Sequence, residues 1–177
     1  MPNLSLSTLT VASLPIPGAD PWHAKAEDPA LSVMTDFRER ASVTVPVTAT
    51  IDAALEHMKH TGVRCAFAID EAQRLVIGLI TAYDIMGEKP MRLMQSLATP
   101  RAQLLVRDLM LRPADWRVVD IRRVGRSTVA AVARLFDESL LTHIAVMEFD
   151  DHGAQRLRGL LSAARVRRVL AKPGRNG

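Results

Sequence analysis

The sequence predicts an α+β fold built from two similar units that pack on each other, each running strand, helix, strand, tight turn, strand, helix. Residues 50–70, TIDAALEHMKHTGVRCAFAID, match residues 128–148, TVAAVARLFDESLLTHIAVME, without a gap at an offset of 78. In each copy the apolar spacing starts helical and then shifts to a short run of strand formers. A second match, LVIGLITAYD at 75–84 on RLRGLLSAAR at 156–165, follows at an offset of 81, the three extra residues falling in the loop around FDDHG. Units of about 70 residues are often unable to bury an apolar face alone, so two of them are expected to pack together.

Taken in order, residues 1–29 carry Pro2, Pro15, Pro17, Pro21 and Pro29 with no clear period and read as an N-terminal arm, extended or disordered in isolation. The first unit is expected over residues 30–98, the second over 99–172, with a short tail at 173–177. Asp28–Met34 resembles Thr99–Met110 at the head of each copy, and a strand-forming stretch follows each, at Ser42–Val45 and Arg117–Ile121. The helices come next, with Ile51, Ala54 and Met58 in the first aligned with Val129, Val132 and Phe136 in the second. Each second strand, through Ala66–Ile69 or Ile144–Met147, leads to a turn, marked by Asp70 in the first copy and by Asp150, Asp151, His152 and Gly153 in the second. The third strand of each copy runs into a closing helix.

Composition limits the function classes. Aliphatic residues dominate a 48% apolar chain and aromatics are only 4%, which leaves little for the stacking platforms of single-strand nucleic acid binders. The lone Cys65 excludes an internal disulfide framework and suits a reducing, cytoplasmic compartment. No run approaches 18 apolar residues and the first residues lack a basic n-region, so neither a membrane span nor a signal peptide is expected. Net charge is +4, with Arg156, Arg158, Arg165, Arg167, Arg168, Lys172 and Arg175 clustered after His152. That cluster reads as the solvated face of an amphipathic terminal helix, or as a patch for phosphates or nucleic acid. His57 and His60 share a helix face with no third ligand in view. No nucleophile elbow, Walker loop or H-E-x-x-H is present, so no catalytic residues are assigned.

The stretch GLITAYD at 78–84 puts a hydroxyl and a carboxylate three residues apart where a strand turns into a helix. Thr81 at the N-cap with Asp84 at N3 is a variant of the capping box. The same two groups could hold a ligand.

Gly78, two apolar residues, Thr81 and Asp84, preceded by AFAIDEAQRLVIG with Asp70 in its turn, resemble the CBS domain, and the repeat over 30–172 resembles a tandem CBS module. The resemblance implies two units related by a pseudo-twofold axis, with clefts between them that bind an adenosine-containing ligand: AMP, ADP, ATP or S-adenosylmethionine. It places Thr81 on phosphate, Asp84 on the ribose hydroxyls, the Val43 backbone against adenine, and Arg64 and Cys65 close to the phosphates. The chemistry is consistent, because an ionised carboxylate accepts from both vicinal hydroxyls and helix-terminal amides favour phosphate. In the second copy Ser162 keeps the hydroxyl and His143 follows Thr142 at the place of Arg64, but Arg165 replaces the carboxylate. An arginine cannot accept from ribose. The resemblance further implies a stand-alone regulator that forms a homodimer and acts on a partner protein in trans. Two alternatives remain: a basic nucleic-acid-associated factor, and a structural dimerisation module with decayed sites.

Overall fold

The structure, a computed structural model, describes residues 23–149 and 152–171. Residues 1–22 of the arm, Asp150 and Asp151 of the second turn, Lys172 and the tail lie outside the described residues. The chain has an α+β fold with two sheets. In the first, β2 (Thr44–Pro46) runs parallel to β3 (Cys65–Asp70), which pairs antiparallel with β4 (Leu75–Thr81). In the second, β5 (Val118–Asp120), β6 (His143–Phe149) and β7 (Gln155–Ser162) repeat that pattern, and a short β1 (Thr35–Asp36) adds to the free side of β7. Both central pairings carry a bulge at the same repeat position, after Ala68 and after Val146.

Local chemistry explains why these elements begin where they do. The Thr50 hydroxyl accepts from the Ala53 amide at 3.2 Å to start α1 (Ile51–His60), and Thr128 does the same for Ala131 at 3.3 Å in α6 (Val129–Ser139). The buried faces of these helices are the aligned residues Ile51, Ala54 and Met58, and Val129, Val132 and Phe136. Asp70 Oδ1 accepts from the Ala72 and Gln73 amides at 2.9 and 3.2 Å, which closes the turn of the first hairpin. His57 and His60 are exposed.

The leading segments cross over. Against expected limits of 30–98 and 99–172, Ala30, Val33 and Met34 lie in one core with Val124, Val129, Phe136, Ile144 and Val166 of the second copy. Leu104, Val106 and Leu109, in and before α4 (Val106–Leu109), lie in the other core with Ile51, Met58, Ile80 and Ile85 of the first. Backbone bonds fix the exchange: Ala30 N–H to Ser127 C=O at 2.9 Å and Val106 N–H to Ala49 C=O at 2.9 Å. The repeated glycine of the third strands is where each exchanged methionine passes. A Cβ on Gly78 would overlap Met110, whose Cγ would be 2.9 Å away, and one on Gly159 would meet the Thr35 carbonyl at 2.5 Å and Met34 Sδ at 3.1 Å. Phe67 packs edge-on against Phe37, with ring centres 5.5 Å apart, and at a tilt against Trp116, 5.9 Å away.

Two features depart from a simple duplicate. The closing helix of the first copy is split at Gly87 into α2 (Ala82–Met86) and α3 (Lys89–Leu97), because Pro90 stands in the first turn of α3 and starts a new helix. The Arg117–Ile121 stretch ends its strand at Asp120, whose Oδ1 accepts from the Arg122 amide at 2.7 Å and caps a short extra helix, α5 (Ile121–Gly125). The last helix, α7 (Ala163–Leu170), buries Ala163, Val166 and Val169 and turns Arg167 and Arg168 to solvent. Among the described residues no helix is long and apolar enough to cross a membrane.

Candidate functional site

Because β2 and β3 are parallel and β4 runs back along β3, the starts of β2 and β3 and the end of β4 meet at one end of the first sheet. Val43 lies there, its carbonyl accepting from the Phe67 amide at 2.9 Å while its side chain packs on the first core. Cys65 stands in register with Thr81. The second sheet repeats the geometry, with His143 in register with Ser162 and the Arg117 carbonyl accepting from the Ala145 amide at 3.0 Å.

Thr81 is 5% exposed, the only buried polar side chain among the described residues, and it makes a full capping box. Its hydroxyl accepts from the Asp84 amide at 3.1 Å and donates to Asp84 Oδ2 at 2.6 Å, while its own amide donates to the same Oδ2 at 3.0 Å. The other carboxylate oxygen, Oδ1, takes an ion pair from Lys89 at the start of α3. The carboxylate is therefore held at both oxygens, yet its side chain keeps 17% exposure and Lys89, at 52%, stands on the solvent side.

Charge links this carboxylate to both copies. Burial pushes the Cys65 thiol up to about 12, and Asp84 adds to the rise. Burial pulls His143 down to about 4, and Asp84 opposes that shift. His143, from the second copy, thus lies in the field of the first copy's carboxylate; its Nδ1 is 3.1 Å from the Thr142 hydroxyl. Cys65 at this pKa is a packing residue, since the thiolate is the reactive form.

Arg64, His143 and Ser162 meet in a cavity of about 340 Å³ between the copies, with Tyr83, Thr142 and Arg167. Arg64 donates to the Tyr83 hydroxyl at 3.3 Å, and Arg167 to Asp137 at 3.2 Å. The cavity offers two guanidinium groups, three hydroxyls and a neutral imidazole; the Asp137 carboxylate in the lining engages Arg167, which leaves Arg64 as the guanidinium without an acid for an oxyanion. The expected residues therefore fall into two groups: Thr81, Asp84 and Cys65 around the α2 cap, and Arg64, His143 and Ser162 around the cavity, with His143 electrostatically tied to both. Val43 joins the first sheet's end through its backbone alone.

Sequence reasoning missed Tyr83, Lys89 and Arg167. Tyr83 occupied a variable place in the motif, and nothing in the spacing distinguishes Arg167 from the other arginines of α7. Lys89 reaches Asp84 only because the closing helix breaks at Gly87. Among the described residues no group of three or more His, Cys, Asp or Glu side chains is placed to hold a metal ion.

The family model of the CBS domain matches residues 30–90. No curated protein matches the sequence. Among solved structures, the CBS-domain protein ATU1752 from Agrobacterium tumefaciens superposes with a TM-score of 0.55 at 18% identity, covering 89% of this chain and 98% of that one. An uncharacterized conserved protein from Pyrococcus horikoshii gives 0.54 at 17% identity over 81% and 92% of the two chains. CBSX2, solved in complex with AMP, gives 0.50 at 22% identity over 80% and 94%. The crossed leading segments, the glycine-to-cap third strand and these matches agree: residues 30–90 match the CBS domain, and the chain as a whole has the α+β fold of the CBS-pair structures it superposes on.

Proposed function

We propose that the chain is a non-catalytic regulatory CBS pair that binds an adenosine-containing ligand, AMP, ADP, ATP or S-adenosylmethionine, and signals to a partner protein in trans as a homodimer. The observation that carries this is the Thr81–Asp84 pair: a partly exposed carboxylate on the α2 cap, facing a neutral His143 from the other copy. Asp84 takes the ribose hydroxyls by displacing Lys89 from Oδ1 while Oδ2 keeps the cap, and the phosphates lie toward Arg64. That CBSX2, of the same fold, was solved with AMP supports the ligand class. Binding across two copies would shift their relative placement, which is how such a site signals.

The full occupation of Asp84 by Thr81 and Lys89 favours a second reading, a structural module in which the carboxylate only caps. Asp84→Ala separates the two. A hydrogen bond to a charged group contributes about 1.5–3 kcal/mol, so loss of the ribose contact weakens adenosine-ligand affinity at least about tenfold by calorimetry. Losing the cap alone costs about 1 kcal/mol of stability. A lower melting temperature with unchanged affinity, or no binding of any adenosine ligand to the wild type, selects the structural module. Lys89→Met leaves the cap intact and is expected to tighten binding, because Oδ1 is then free.

A further inference from the structure

The two copies treat their outer strands differently. The first strand of each repeat, β2 or β5, is the edge of its sheet. The Val43 carbonyl accepts from the Phe67 amide at 2.9 Å and the Arg117 carbonyl from the Ala145 amide at 3.0 Å, so both face inward. Backbone groups alternate along a strand, and those of Thr44 and Pro46 in the first copy, and of Val118 and Asp120 in the second, therefore point outward. Pro46 has no N–H to offer, and just beyond it the crossed segment covers the chain, Arg107 N–H donating to the Val47 carbonyl at 3.1 Å. Neither device protects β5. Asp120 stands where the first copy has Pro46, and residues 121–125 coil into α5. Among the described residues no strand pairs with the outer side of β5, and Val118 is 57% exposed.

A cavity of about 340 Å³ adjoins this edge, lined by Val118, Val119, Met147 and Phe149, with Asp120 and Arg123 as its charged members. β6 starts at His143 and ends at Phe149, so this cavity lies at the opposite end of the sheet from His143 and Ser162. Asp120 is already engaged: its Oδ1 accepts from the Arg122 amide at 2.7 Å and its Oδ2 is 3.5 Å from Arg122 Nε. Arg117 and Arg123, on either side of β5, are exposed and pair with no carboxylate among the described residues. The edge is thus open, apolar and positively charged. A second copy paired through β5 would bring these arginines against their own images, and residues 1–22 hold a single acid, Asp20. A nucleic acid would use the charge but neither the strand edge nor the apolar cavity. We infer that the outer edge of β5 docks an acidic, extended segment of a partner protein. Its backbone pairs with Val118, an apolar side chain enters the cavity, and its carboxylates meet Arg117 and Arg123.

The inference rests on the proposed function only in expecting a protein partner, and it needs no ligand at Asp84. The probe is a fluorescein-labelled, end-blocked peptide of alternating Glu and Val, titrated with the full chain in low-salt buffer and read by anisotropy. The wild type binds it with a Kd below about 1 mM, and the same peptide with Lys for Glu does not bind. Arg123→Glu weakens binding at least about tenfold, and the double variant Arg117→Glu with Arg123→Glu prefers the Lys peptide. Val118→Pro removes an amide that no ladder bond uses and weakens binding about fivefold or more. A Glu peptide with alternate amides N-methylated, which leaves the protein untouched, loses affinity to the same degree. ADP titrated in parallel reports on the Asp84 reading alone: Asp84→Ala weakens ADP binding and leaves the peptide Kd unchanged. Whatever ADP does, the inference fails if the wild type does not bind the Glu peptide, or if N-methylation and the charge reversals leave its affinity intact. It fails equally if a thymidine oligonucleotide binds more tightly than the peptide through Arg117 and Arg123, or if light scattering shows self-association that Val118→Pro removes, which assigns the edge to a second copy.

Discussion

Replacing Gly78 by alanine tests whether the crossover of the leading segments rests on the two glycines. Neither Gly78 nor Gly159 has a positive φ, so alanine is acceptable to the backbone and only space decides. At Gly78 the new methyl overlaps the Met110 side chain, which is flexible and can turn aside in part. Overpacking of this kind costs about 1–3 kcal/mol, and the lost freedom of the unfolded glycine returns about 0.4–1 kcal/mol. The net loss of roughly 1–2 kcal/mol lowers the melting temperature by about 2–8 °C at this chain length. At Gly159 the obstacle is the Thr35 carbonyl, which cannot rotate away, so β1 must lift from β7 and break the Arg158–Asp36 ion pair. Gly159→Ala is therefore the worse of the two, at about 3 kcal/mol or more. Urea denaturation of Gly78→Ala, Met110→Ala and the double variant supplies a cycle. Met110→Ala removes the obstacle, so the double variant is less damaged than the sum by about 0.5–2 kcal/mol. For Gly159→Ala, Met34→Ala gives no such relief. If Gly78→Ala costs the same with and without Met110, the methionine does not rest on the glycine and the packing account of the motif is wrong.

Two further outcomes follow from buried titratable groups. His143 is held at about 4 when folded against 6.5 for the free side chain, so the unfolded chain binds more protons between those values. Its contribution is complete above pH 6.5 and is lost as pH falls toward 4, roughly 2–3 kcal/mol in all; urea titrations at pH 7.5 and 5 should show this slope, and His143→Gln should flatten it. Cys65, buried and pushed up to about 12, should react with iodoacetamide at pH 8 at least about a hundredfold more slowly in the native protein than in urea; equal rates would mean the strand opens without global unfolding.

Much of this protein is written locally. The caps at Thr50, Thr128 and Thr81, the Asp70 turn and the buried faces of α1 and α6 each depend on residues within a few positions of one another, and sequence spacing reports such relations directly. So does the repeat, and with it the α+β order of each copy. Which copy each segment packs on was not legible, because Met34 and Met110 are alike, as are Gly78 and Gly159, and periodicity shows that a face is apolar without naming the face that covers it. Only the tertiary structure carried Met34 to Gly159 and Met110 to Gly78, and only it brought His143 of the second copy into the field of Asp84. The pairing of Lys89 with Asp84 was equally hidden, since it depends on a helix that stops at Gly87 and starts again at Lys89. Local interactions are fixed by neighbours along the chain, whereas the electrostatics of a site between two copies is fixed by groups far apart in sequence that only long-range packing brings together.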